Sequence, residues 1–165
     1  MNQPRSLKAL AIVSVTAAAT MLLIQACGDG AVAQATDADP VEGVWDAVIT
    51  ARDCSTNAVI LTARGQQVFH RGGTLTDTNA APPATRGPGF GVWRRDAGGA
   101  GYSARFRFLR YNPDGSFAGT MRVTRVLALS ADGNTQTSTN TAQVLDVAGV
   151  VLQSSCATDV STRVF

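Results

Sequence analysis

Few residues in this chain are able to do chemistry, and they are scattered. His70 is the only histidine, so no site built on several imidazoles can form, and no Cys-x-x-Cys or carboxylate cluster stands in for one. Glu42 is the only glutamate, and the aspartates fall mostly in turn-like stretches, where local hydrogen bonding occupies them. No Gly-x-Ser-x-Gly elbow accompanies His70. These types and spacings point away from catalysis. The expectation is a non-enzymatic protein with no metal and no cofactor, in which His70 is a residue near a turn.

The three cysteines carry more. Arg5 and Lys8 precede an uncharged apolar run from Ala9 to Ala26, the layout of an export signal, so residues 1–26 read as a signal peptide. Small residues and no positively charged flank follow the run, which separates it from a membrane-spanning helix. Leu23-Ile24-Gln25-Ala26-Cys27 resembles the bacterial lipobox, which implies lipidation of Cys27 and an anchor in the membrane of the cell envelope. The alternative is ordinary secretory cleavage after Ala31-Val32-Ala33, which gives a soluble periplasmic or secreted protein. Either route leaves Cys54 and Cys156, and two cysteines in an exported chain are most simply a disulfide.

Charge narrows the partners. Starting at Cys27, 12 arginines face 12 acidic residues and no lysine remains. A balance this even is not that of a nucleic-acid binder.

The remaining chain must position whatever site exists. Residues 27–42 carry Gly, Ala, Asp and Pro without hydrophobic periodicity and read as a flexible linker. From Gly43 onward, residues alternate apolar and polar with a period of two, the signature of half-buried strands. Trp45, Ala47 and Ile49 share one face. The Gly72-Gly73 corner turns one hairpin, and Asn112-Pro113-Asp114-Gly115, Asp132-Gly133 and Ala148-Gly149 turn others. The proline-rich residues 79–89 read as a long loop.

Tyr102, Ala104, Phe106 and Phe108 oppose Ser103, Arg105 and Arg107. In the following strand Phe117, Met121, Val123, Leu127 and Leu129 are in phase, and Arg125 interrupts them, which suggests a bulge or a barrel end. Thr135, Thr137, Thr139 and Thr141 share one face of the next strand, which suggests a polar, partly hydrated interior. About eight strands with short turns and no helix beyond the signal make residues 43–165 an all-β domain, an antiparallel up-and-down barrel, with a Greek-key sandwich as the alternative.

Gly43-Val44-Trp45 at the first strand and Arg163 near the end of the last resemble the closing pair of the calycins, the group of lipocalins and avidins. That resemblance implies that Arg163 packs over Trp45 and closes the barrel floor. Two tryptophans are too few for an avidin-type biotin site. Small barrels are packed solid or hold one ligand, so Tyr102, Phe106, Phe108, Phe117 and Met121 form either a filled core or a pocket for a small apolar ligand. The outward Arg105, Arg107 and Arg122 offer the alternative function, a membrane-tethered structural or protein-interaction module, or are simply a solvated exterior.

Overall fold

A computed structural model describes residues 38–164. The signal segment 1–26, Cys27 and most of the linker 27–42 lie outside the described residues. Eight strands follow one another in chain order: β1 (Gly43–Arg52), β2 (Val59–His70), β3 (Thr74–Asn79), β4 (Arg86–Arg95), β5 (Tyr102–Tyr111), β6 (Phe117–Leu129), β7 (Thr135–Leu145) and β8 (Val151–Arg163). Each pairs antiparallel with the next, and β1 pairs with β8, so the sheet is a closed up-and-down barrel. Closure gives every strand a paired neighbour on both sides, so the sheet has no edge strand. The sandwich alternative is thereby excluded.

Period-two alternation explains the two faces. In β5 Tyr102, Ala104, Phe106 and Phe108 are buried, while Arg105 and Arg107 are exposed. Opposite them on β4 the inward positions are Gly89 and Gly91, and a Cβ on Gly91 would lie 2.1 Å from the Arg105 carbonyl oxygen. β4 can lie this close to β5 only without a side chain there. Phe106 fills the space over both glycines, with Asp77 beside it at Gly89.

One end of the barrel is closed by packing. Trp45, Phe69, Leu75, Tyr102 and Leu127 are buried there together with Val41, and Trp93 meets both Phe69 and Tyr102 edge-on at centroid distances of 6.1 and 6.0 Å. The Arg163 guanidinium lies 4.3 Å from the Trp45 ring, and also donates to the carbonyls of Glu42, Pro40 and Gly133. Cation–π attraction and three satisfied carbonyls thus hold the floor.

Val41 sits within the stretch expected to be a flexible linker, yet it is fully buried and accepts the Trp45 indole N–H at 2.9 Å through its carbonyl. The folded domain therefore begins before Gly43. Asp39 ties the same segment down by accepting from the Tyr102 hydroxyl at 2.7 Å, the Arg95 guanidinium at 3.0 Å and the Val41 amide at 3.1 Å.

Two other expectations are corrected. Residues 79–89 are not all loop, because β4 begins at Arg86. The Phe117 ring, expected among the pocket residues, is instead exposed and packs at 6.4 Å against Tyr111. The cause is a register shift between β5 and β6 at Gly119, whose φ is +112°. That bulge breaks the phase between Phe117 and Met121.

Candidate functional site

The other end of the barrel is open. The turns between β1 and β2, β3 and β4, β5 and β6, and β7 and β8 gather there, and a cavity of about 360 Å³ runs inward from them. That is the small end of the range of roughly 300–1,000 Å³ typical of ligand pockets. Its wall is apolar over most of its depth: Ile49 from β1, Leu61 and Ala63 from β2, Phe106 and Phe108 from β5, Met121 and Val123 from β6. All are inward positions of their strands, so the pocket follows directly from the alternation.

Three of the five expected pocket residues, Phe106, Phe108 and Met121, line this cavity. Tyr102 does not; it lies buried in the floor, where burial and the Asp39 carboxylate push its hydroxyl pKa up to about 12. Phe117 is exposed, as described above. His70 is at the floor end and exposed, 3.0 Å from the Thr76 hydroxyl.

At the base of the cavity the lining changes character. Arg125, expected at a bulge or a barrel end, is in phase with Val123 and Leu127 and is 1% exposed. Its Nη2 donates to Asp159 Oδ2 at 2.7 Å and to Ser138 Oγ at 3.1 Å, and its Nε to Asn140 Oδ1 at 3.2 Å. Its Nη1 donates to Gln67 Oε1. Ser138 donates in turn to Asp159 Oδ1. A buried guanidinium is tolerable only when paired and hydrogen-bonded in this way.

A second buried pair lies beside it. Arg86, at the start of β4, donates through Nη2 to Asp77 Oδ1, and both side chains are nearly fully buried. The Arg86 guanidinium also lies 3.9 Å from the Phe108 ring, and Gln67 Nε2 donates to Asp77 Oδ2 at 3.3 Å. Burial pushes the Asp77 carboxyl pKa up, more than Arg86, Arg125 and these hydrogen bonds pull it down. Both pairs and their amide partners face the cavity.

The polar interior that the threonine pattern suggested does exist, but other residues make it. On β7 the buried positions are Gln136, Ser138 and Asn140, while Thr137, Thr139 and Thr141 are exposed. Arg125 stood out in the sequence only as an interruption of its strand's pattern, and its partners Gln67, Ser138, Asn140 and Asp159 did not stand out at all. The available signal was parity: Arg125, Asn140, Asp159, Gln67 and Asp77 all stand at inward positions of their strands.

Cys54 and Cys156 form a disulfide with a Cα–Cα distance of 5.1 Å. Cys156 pairs with Arg52 across the β1–β8 seam, so the bridge ties the first turn to the last strand where the barrel closes. Asp53 fixes that turn by accepting from the amides and hydroxyls of Ser55 and Thr56, which together hold its pKa well below the ordinary carboxylate range.

Among the described residues no three of His, Cys, Asp and Glu converge on a point where a metal could sit. Fold and site define a closed eight-stranded barrel with one plugged and one open end, a layout consistent with the calycins. Comparison with protein-family models, curated proteins and solved structures gives no match.

Proposed function

We propose that this is an exported, non-catalytic barrel of calycin type that binds a small, mainly apolar ligand. The observation that carries the reading is the cavity of about 360 Å³, apolar along its wall and open at one end only. An apolar cavity with a few convergent polar groups is the usual form of a small-molecule site. Native mass spectrometry of gently purified protein tests it. A co-purifying mass is expected, and Ala63→Trp, which fills the wall, should abolish it; a clean protein mass that no added hydrophobic compound shifts would sink the idea.

The N-terminal signal supports export, and the lipobox-like Leu23–Cys27 segment supports a lipid anchor holding the barrel at the cell envelope. Cys27→Ser should then move the protein from the membrane to the soluble fraction. Retention on the membrane would refute the anchor.

A second reading has its own observation. Phe90 and Val92 are 61% and 47% exposed on the outer face of β4, and their partners on β5 are Arg107 and Arg105. Aromatic and arginine side chains mixed in this way favour protein contact. As an interaction module the barrel would lose its partner on replacement of Arg105 and Arg107, with Ala63→Trp harmless.

A further inference from the structure

The ligand's polar group can be specified from the base of the cavity. A buried arginine in a barrel invites the idea of a carboxylate receptor, a site for an ionised fatty acid. The contacts of Arg125 argue against it. A guanidinium has five N–H donors, and four of those on Arg125 are already directed at Asn140, Gln67, Ser138 and Asp159. Its charge is matched by Asp159, and that of Arg86 by Asp77. Two guanidinium and two carboxylate groups leave this layer formally neutral.

An anionic headgroup entering it would be a third negative charge with no free cation. Stripping it of water without a new partner is strongly unfavourable. A hydroxyl faces no such cost. It needs one acceptor and one donor, and the layer offers both: the carboxylate oxygens of Asp77 and Asp159 have lone pairs to spare, and Arg125 keeps one N–H.

We propose that the cavity takes an uncharged amphiphile, a fatty alcohol or another hydroxyl-bearing lipid, inserted with its hydroxyl against the Arg125–Asp159–Asp77 layer and its chain along Phe106, Phe108 and Met121. This rests on the ligand-binding reading above. The competing arrangement is an acid held head-out by Arg110, which lines the mouth and is half-buried. A charge pair at so solvated a place is weak, so it does not select an acid over an alcohol.

Titration calorimetry on the full exported protein, with decanol and decanoate at neutral pH, tests the assignment. Decanol is expected to bind more tightly by about tenfold or more, since only the acid must bury an unpaired charge. Asp159→Asn removes one anion from the layer and should reverse the order. Asp77→Asn, at an independent position, should shift the preference the same way, so the test survives if one variant does not fold. Equal or tighter binding of decanoate to the unaltered protein overturns the proposal, and loss of that binding in Arg110→Gln would assign the acid to the mouth. If neither compound binds and no lipid co-purifies, the ligand-binding reading itself falls and takes the proposal with it.

Discussion

Arg125 is the residue on which the interior depends. It lies inside the barrel with 1% of its surface exposed, and its four partners come from three strands: Gln67 from β2, Ser138 and Asn140 from β7, Asp159 from β8. Such a cluster stabilises only as a whole, because deleting one member strands the others. Asp159→Leu should therefore lower the unfolding free energy by about 3–5 kcal/mol, the usual penalty for leaving a buried charge unpaired. Arg125→Met combined with Asp159→Leu removes both charges and should recover most of that loss, since apolar replacements of a buried pair are often neutral or better. Urea melts of the two single variants and the double variant give the coupling directly. Additive losses would show that the pair is not energetically linked.

At the scale of elements, the segment Asp39–Glu42 acts as a plug for the floor although it belongs to no strand. Burial pushes the Asp39 carboxyl up, but the Arg95 guanidinium, the Tyr102 hydroxyl and the Val41 amide outweigh it, so its pKa lies below the ordinary 3.8. Tyr102 is shifted the other way, from 10.0 to about 12. A lowered carboxylate pKa contributes stability that is present above the unfolded value and is lost as pH falls through the folded one. A raised phenol pKa contributes stability that is complete below the unfolded value and lost as pH rises through the folded one. The floor should thus weaken below the ordinary carboxylate range and again between pH 10 and about 12. In denaturant melts the stability gap between the unaltered protein and Tyr102→Phe should be constant from neutral pH to pH 10 and close toward pH 12. A gap that ignores alkaline pH would show that the plug does not depend on this hydroxyl.

The elements also show which parts of the architecture can be read from the chain and which cannot. Alternation of Trp45, Ala47 and Ile49, or of Tyr102, Phe106 and Phe108, reports strands because a closed barrel buries every second residue. The Arg163–Trp45 contact was legible by another route, as what the resemblance to the calycins implies. The Arg125 layer was not. A pattern search treats a charged residue as outward by default, and the partners that make Arg125 an exception are 13 to 58 residues away. Phe117 misled in the opposite direction, because a single bulged residue at Gly119 inverts the parity of what precedes it.

For the whole molecule, closure is the property that joins stability to function. A cavity of about 360 Å³ occupies the open end of the barrel, so the wall there relies heavily on its backbone ladder. At the β1–β8 seam near the mouth, β1 ends at Arg52 while β8 extends back to Val151, paired there only with β7. The Cys54–Cys156 bridge lies at that point. It spans 102 residues of sequence, and closing a loop of that size stabilises by about 4–5 kcal/mol in the chain-entropy model. Cys54→Ser with Cys156→Ser should therefore lower the unfolding free energy by about 2–5 kcal/mol. The loss should also be local. Amides of Ala51, Leu61 and Ser155, on the cavity side of the bridge, should exchange faster with solvent, while those of Trp45, Phe69 and Leu127 in the plugged floor should keep a protection set by global unfolding. Uniform acceleration at both ends would mean that the bridge acts on the unfolded chain alone and has no part in holding the mouth open to a fixed size.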